Sequence, residues 1–325
     1  MMAVRVGFVG CGGISRYHMG HLAQIKGAEM VGFCDVQKDR AAAAAQEFGT
    51  TDAVVATDYK SFYKDVKLDA VYVGMPPFAH EEQELLAAKA GLHLFVEKPI
   101  ALDMKLAKKV EREIAKAGVI STSGFQDRYL DIIARLQKDL AKNPPALVMG
   151  YWMGGMPGVS WWRRKEQSGG QAVEQTIHIF DMARYLFGEI KSVHAVASKG
   201  LMKDVPKYNI EDASAVNLKF KSGLCGTIFS ACCLKVGRCG MDIWTKEAKF
   251  EYYERQSVVT VKAGEEPVKN EVVKDPGMGI DQAFINAIKK GDQSLLKSSY
   301  ADAAKSLAVV LAANESMATG QAVKL

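Results

Sequence analysis

Apolar and polar positions alternate in two different rhythms along the chain. Through residue 123, short apolar runs (Val4 to Val9, Glu29 to Cys34, Ala70 to Gly74, His93 to Val96 and Val119 to Ser123) alternate with stretches of helical character. Helices are predicted over about residues 14–25, Asp58 to Lys64, Pro77 to Ala90 and Leu102 to Ala117, with a further one through Ala41 to Ala45. Apolar strands separated by helices of this length predict a parallel sheet covered on both faces, hence a doubly wound α/β domain over residues 1–123. After a helix predicted over about Gln171 to Phe187 and capped by Gly188, the pattern changes. Val216, Leu218 and Phe220 alternate with Asn217 and Lys219, and further strand-like runs follow without intervening helices. Such a series predicts antiparallel pairing in a second domain, residues 124–325, closed by helices over about Ile280 to Lys290 and Ala301 to Ala318 that look structural.

Composition excludes several classes. With 325 residues, 48% of them hydrophobic and 24% charged, the chain can bury the cores of two domains. The net charge of +5 comes from scattered residues, Arg163-Arg164-Lys165 being the longest basic run, so no nucleic-acid footprint is present. No stretch approaches the roughly 18–20 apolar residues of a membrane span, and the first predicted strand begins at Val4, which leaves no room for a signal peptide. A cytoplasmic protein is expected. Cys11, Cys34, Cys225, Cys232, Cys233 and Cys239 show no C-x-x-C spacing and read as small reduced fillers, not disulfides or zinc ligands, so no metal is expected.

The chemistry begins where the first strand meets the first helix. Gly10-Cys11-Gly12-Gly13-Ile14-Ser15 offers a tight turn at Gly10, bare backbone at Gly12 and Gly13, and a helix start whose unpaired N–H groups attract an anion. Asp35 ends the second strand twenty residues beyond Ser15, where a dinucleotide-binding unit places an acid to accept the ribose hydroxyls. An Asp there favours NAD over NADP. Arg40 softens that preference if it pairs with a 2′-phosphate or stacks on adenine; its other reading is a solvated helix residue. Ser15 departs from the Gly or Ala usual at the third position. Ligands on such sheets bind beyond the carboxyl ends of the strands, which singles out Met75-Pro76 and Glu97-Lys98-Pro99 beside Gly10 and Asp35.

With the glycine turn, Asp35, the Pro76 and His80 pair and Glu97-Lys98-Pro99 in this order, the chain resembles the glucose-fructose oxidoreductase and inositol dehydrogenase family (Gfo/Idh/MocA). The resemblance implies an N-terminal Rossmann domain that binds NAD, with NADP possible. It also implies a C-terminal α/β domain whose large, mainly antiparallel open sheet holds a small polyhydroxylated substrate. That sheet commonly packs against a second subunit, so a homodimer or homotetramer is expected.

The second half supplies the remaining candidates. Gly124 to Arg128 looks like the family's linking segment, in which Gln126 would approach the nicotinamide; Arg128 is also read as pairing with Asp127 or Asp131 on a helix surface. Trp152 and the long loop 154–170, with Trp161, Trp162 and Arg163, offer aromatic faces for a sugar ring and a guanidinium for its polar groups, with one of Trp161 and Trp162 expected to line the site. Glu174, His178, Asp181 and Tyr185 recur at helical spacing as one polar stripe, so an acid and a histidine stand one turn apart. The segment resembles the family's Asp-x-Gly-x-His-x-x-Asp element, with Glu174 at the first acid, Thr176 at the glycine, His178 at the histidine and Asp181 last. The resemblance makes His178 the catalytic candidate with Lys98, and Glu174 its partner; Asp181 is also read as pairing with Arg184.

The expected activity is hydride transfer between nicotinamide and a secondary hydroxyl or ketone of a sugar, polyol or cyclitol. The rivals are a glycosidase that keeps NAD bound and oxidises transiently, and a non-catalytic cofactor-sensing protein.

Overall fold

A computed structural model describes residues 3–325. Its first half runs β1 (Val4–Val9), α1 (Gly13–Leu22), β2 (Ala28–Cys34), α2 (Lys38–Phe48), β3 (Val54–Ala56), α3 (Tyr59–Asp65), β4 (Ala70–Val73), α4 (Gln83–Lys89), β5 (His93–Val96), α5 (Met104–Ala117) and β6 (Ser121–Ser123). The six strands form one sheet in the order β3-β2-β1-β4-β5-β6, all pairs parallel. This is the expected doubly wound sheet. Its centre is apolar on both faces: Val6, Phe8, Val71, Leu94 and Phe95 are completely buried. The chain order reverses between β1 and β4, and the ends of these two strands carry the glycine turn and Gly74.

The second half runs α6 (Asp131–Lys142), β7 (Pro145–Met153), α7 (Lys165–Ser168), α8 (Gln171–Glu174), α9 (Ile177–Phe187), β8 (Ile190–Ser198), β9 (Ala213–Phe220), β10 (Cys225–Ala231), β11 (Arg238–Thr245), β12 (Lys249–Tyr253), β13 (Ser257–Val261), β14 (Val268–Glu271), α10 (Pro276–Lys290), α11 (Tyr300–Thr319) and β15 (Val323–Lys324). Nine strands form the second sheet in the order β14-β13-β12-β11-β7-β10-β9-β8-β15. Only the β7–β10 pair in it is parallel, so the mainly antiparallel sheet is as expected. The period-two pattern sorts its faces. Ser214, Val216, Leu218 and Phe220 of β9 are buried, whereas the register Leu147–Cys225–Lys219 lies on the other face. On that face Leu147 is 41% and Val196 59% exposed.

Two expectations are corrected. The chain divides into one unit holding the residues up to Gln126 together with Asp275–Ala304, and another holding Asp127–Lys274 with Lys305–Leu325. Residues 275–304, expected in a continuous second domain over 124–325, thus pack with the first sheet. The physical reason is a set of buried polar and apolar contacts from α10: Asp281 meets His18 and Tyr72, and Phe284 packs edge-on against Tyr72 and Phe95. Asp275 caps this helix by accepting from the N–H groups of Gly277 and Met278, with Pro276 in the first turn. The helix expected over Gln171 to Phe187 is two helices, interrupted at Gln175-Thr176, where Thr176 N–H reaches back five residues to Gln171 O. Glu174 and His178 therefore do not share one regular helix.

Candidate functional site

In the first unit the glycine turn has the predicted form. Gly10 lies at φ +82°, and a Cβ there would meet Gly74 O at 2.3 Å, so a side chain is excluded twice over. At Gly12 and Gly13 an added Cβ would meet nothing within 4 Å, which leaves the backbone open to an approaching group. The N-cap residue of α1, Gly12, has no side chain with which to cap it. The first N–H groups of the helix and the positive end of its dipole are thus free to meet a pyrophosphate. Ser15, the departure from the small third residue, is accommodated across the strand: its Oγ stands only 2.2 Å from where a Gly74 Cβ would be. The close packing of helix on strand that a third glycine provides is supplied by Gly74. Ile14, the first apolar side chain after the turn, is 38% exposed.

Asp35 is buried at the end of β2 and organises the turn. Its Oδ2 accepts from Cys11 N–H and its Oδ1 from Gln37 N–H, each at 2.9 Å. Arg40 Nη1 is 3.5 Å from Oδ2, and Nη2 donates to Gln37 Oε1 at 3.0 Å. Arg40 is therefore tied to Asp35, a closer relation than that of a merely solvated residue. Burial, then the charge of Asp35, pushes the Cys11 thiol up to about 12, which keeps it protonated.

The remaining strand ends of this sheet carry Met75, Pro76 and His80, and Glu97-Lys98-Pro99. Pro76 opens a single 3₁₀ turn, Pro77–Ala79. His80 is buried with Nδ1 on Glu84. Burial opposes its charge, but Glu84, a hydrogen bond to the Met75 backbone and the charge of Glu97 raise its pKa. The Lys98–Pro99 peptide is cis, and Lys98 is half-buried. Glu97 is 4% exposed and fully engaged: Oε2 accepts from Lys98 N–H at 3.1 Å and Oε1 meets His18 Nε2 at 2.9 Å. Gln126, at the end of this unit's first segment, is also buried.

A chain of buried groups behind Glu97 had no counterpart in the sequence reading. His18 Nδ1 lies 2.8 and 2.9 Å from the two oxygens of Asp281. Asp281 also takes Tyr72 OH at 3.1 Å and His21 Nδ1 at 2.9 Å. The signal was present: Ser15, His18 and Leu22 share the buried face of α1, and a histidine on such a face requires a partner.

In the second unit the polar stripe is resolved into separate partnerships. The Glu174 carboxylate accepts from Trp162 Nε1. Trp162 is 1% exposed, in a cluster with Ile210 and Cys232 against which Met156, Trp161 and Tyr208 pack. Of the two rings expected to supply one that lines the site, Trp162 is the one whose indole N–H is engaged with Glu174 of α8. Trp161 is half-buried beside it. The His178 ring stacks on Trp152, centroids 5.6 Å apart and planes 22° from parallel, which brings together two of the expected site residues. Trp152 is itself fixed through its carbonyl, which accepts from Gln171 Nε2.

The expected Arg184 is not the main partner of Asp181. Arg128 grips it with two bonds, Nε to Oδ2 at 2.8 Å and Nη2 to Oδ1 at 2.5 Å, and Ser306 adds a third at 2.7 Å. Arg184 is 4.0 Å away and bonds Glu189 and Ser306 instead. Arg128 also lies over the Tyr185 ring at 4.8 Å. Arg128, expected to pair with Asp127 or Asp131, has Asp181 as its bidentate partner, and Asp127 accepts from Arg255 Nε at 2.7 Å. The bidentate pair locks α9, and with it the helical turn that carries His178. In the basic run, Lys165 is bound to Glu211 and Asn314, whereas Arg163 is half-buried and its carbonyl accepts from Asn209 N–H.

Comparison with known proteins agrees with this arrangement. A family model described as the Gfo/Idh/MocA oxidoreductase family with an NAD-binding Rossmann fold matches residues 4–125, and the Gfo/Idh/MocA C-terminal domain matches residues 145–251. The chain is 31% identical over 230 residues to myo-inositol 2-dehydrogenase of Thermotoga maritima, covering 69% of this chain and 67% of that one. It is 26% identical to 1,5-anhydro-D-fructose reductase of Ensifer adhaerens over 99% of this chain and 98% of the relative. Its fold matches that of levoglucosan dehydrogenase, solved with NADH and L-sorbose, with a TM-score of 0.87 at 20% identity over 100% and 99% of the two chains.

Proposed function

The chain belongs to the Gfo/Idh/MocA oxidoreductase family, and from that premise we propose that it is an NAD(P)-dependent dehydrogenase of a secondary hydroxyl on a sugar, polyol or cyclitol. The observation that carries this reading is the alignment of three groups on one edge of one parallel sheet. The glycine turn, Asp35 and the Glu97-Lys98-Pro99 turn follow β1, β2 and β5 at their carboxyl ends. The first two fit a dinucleotide. The third supplies an ammonium group for the reacting oxygen.

Oxidation of a carbinol removes a hydride from carbon and a proton from oxygen. A bound nicotinamide would supply the acceptor for that hydride. Lys98 Nζ donates a hydrogen bond to the carbinol oxygen and stabilises its developing negative charge. A ring nitrogen of His178 takes the proton, with the imidazole steadied by Trp152 and by the Arg128–Asp181 pair behind it. Glu174, through Trp162, orders the loop that presents Trp161 and Arg163 to the substrate. The division of labour follows the two units, cofactor on the first and substrate on the second. NAD is favoured over NADP by Asp35, with Arg40 moderating the preference. The relatives are dehydrogenases and a reductase of cyclitols and sugars, which favours net oxidoreduction over a glycosidase.

The exposed face of the nine-stranded sheet, with Leu147 and Val196, fits a second copy of the chain in a homodimer or homotetramer. Light scattering on the purified chain, repeated with Leu147→Glu, tests this. All six cysteines are free, which suits the reducing cytoplasm.

A panel of inositols, sugars and sugar acids, read as absorbance of reduced nicotinamide with NAD and with NADP, tests the activity. Lys98→Ala and His178→Ala are each expected to lower turnover by about 10²-fold or more while NAD affinity stays within a few-fold. Near-normal turnover in both would refute the assignment. Sugar release without net reduced cofactor would favour the elimination chemistry instead.

A further inference from the structure

We propose that His18 is a positioning residue for the reaction: clamped between Asp281 and Glu97, it fixes the Glu97 carboxylate that in turn holds the backbone of Lys98. The inference rests on the reading of Lys98 as the group that contacts the reacting oxygen.

Three observations carry it. First, Glu97 is buried, and a carboxylate out of water persists only if its oxygens are bonded to donors. His18 Nε2 meets one oxygen and Lys98 N–H the other. Second, both ring nitrogens of His18 face carboxylates, Asp281 on Nδ1 and Glu97 on Nε2, so both carry hydrogens and the ring is an imidazolium. Burial alone would lower the His18 pKa; Asp281, then Glu97, carry it up to about 10, in agreement with the geometry. Third, the clamp joins elements distant in sequence. His18 stands on α1, whose first turn carries the glycine backbone, and Asp281 stands on α10. One rigid helix thus links the cofactor turn to the lysine turn.

The groups that face this clamp come from each element packed on it. They are Tyr17 and His21 on α1, Tyr72 on β4, Phe95 and Glu97 on β5 and its end, and Asp275 and Asp281 of α10 and its cap. Tyr72 OH donates to Asp281, and burial, then Asp281, raises its pKa well above the ordinary value, so it stays neutral. Asp281 and Glu97 are the two negative groups in contact with the imidazolium.

The test uses His18→Gln, Asp281→Asn, Glu97→Gln and Lys98→Ala in the full chain, on the best substrate from the panel. His18→Gln is expected to lower kcat about tenfold or more, with KM for NAD within about threefold. In a Glu97→Gln background it should cost little more, because the path it acts through is already cut. Asp281→Asn keeps the shape but lowers the charge retention of His18, so its kcat should fall with rising pH across about 6.5–9, where the unmodified enzyme shows no such loss. Without cofactor, ¹⁵N NMR of the imidazoles should show both His18 nitrogens protonated at about pH 8. Variants of His18 and Asp281 that lose thermal stability but keep kcat and its pH profile, while Lys98→Ala abolishes turnover, would overturn the role of His18 alone. So would strictly additive effects of His18→Gln and Glu97→Gln, or a neutral His18 ring at that pH. Normal turnover in Lys98→Ala is a different pattern, and it would remove the reading of Lys98 together with this inference.

Discussion

Gly124 is a position where one methyl group should strike directly at the lysine turn. A Cβ there would lie 2.2, 2.5 and 2.6 Å from Oε1, Cδ and Oε2 of Glu97, so it meets the whole carboxylate and not one movable atom. Ordinary contact needs about 3.5 Å, so either the carboxylate or the backbone must give by about 1 Å. The carboxylate has little freedom, because His18 Nε2 at 2.9 Å and Lys98 N–H at 3.1 Å hold its two oxygens. Overpacking costs about 1–3 kcal/mol, and breaking a buried charge pair about 3–5 kcal/mol, so a partial loss of both gives about 2–4 kcal/mol for Gly124→Ala. At roughly 2–4 °C per kcal/mol for a unit of this size, the first unit's melting transition falls by about 4–16 °C. A 1 Å displacement of the lysine turn also costs turnover about 10²-fold. Calorimetry and steady-state kinetics on the purified variant measure both. In a Glu97→Ala background the added methyl has room, and Gly124→Ala should then change stability by less than about 0.5 kcal/mol. Normal melting and turnover in the single variant, or the same loss in both backgrounds, would refute the reasoning.

Three further outcomes are expected. Arg128→Met should destabilise the second unit by up to about 3–5 kcal/mol by removing the bidentate partner of buried Asp181, whereas Arg128→Met with Asp181→Leu should recover most of that loss in urea titrations. Trp162→Phe should cost about 1–3 kcal/mol of stability through the lost bond to Glu174 with little change in substrate KM, whereas Trp161→Ala should raise KM about five- to tenfold; the reverse pattern would place Trp162 on the substrate. The folded protein raises His18 from 6.5 to about 10, so it retains a proton that the unfolded chain releases; that stabilisation is complete below 6.5 and lost as pH rises to about 10. Melting temperature should fall across this window, and His18→Gln should flatten the slope.

Much of this was legible from local pattern. The strands β1, β2, β4 and β5 are apolar runs bounded by turn residues, and Gly10, Asp35 and Lys98 sit at their ends because the motif spacing fixes them there. The three-residue strand β3 and the edge strand β14, whose residues are mostly exposed, carry too little apolar signal to be read. Side-chain spacing is helical throughout Gln171 to Phe187, yet the backbone breaks at Gln175-Thr176. Partner choice was the least legible layer. Asp181 has Arg184 three residues away, but its bidentate partner is Arg128, 53 residues distant, because a buried guanidinium takes the geometry that satisfies two of its donors. His18 and Asp281 belong to the same layer, since spacing along a helix indicates which face is buried and not what will meet it.

The separation of that last pair also bears on how the protein is made. His18 and Asp281 are 263 residues apart, and the segment between them includes most of the other unit. Contacts of such high sequence separation form late and slow folding. On the ribosome, α1 emerges with a buried-face histidine whose acidic partner is not yet synthesised, and the first sheet lacks the packing of α10 until that helix has followed it. A fragment ending at Gln126 would carry every residue of the glycine turn and still lack the helix that covers Tyr72 and Phe95. Nascent chains should therefore acquire cofactor affinity near the end of translation, and truncations before residue 304 should be substrates for chaperones or proteases.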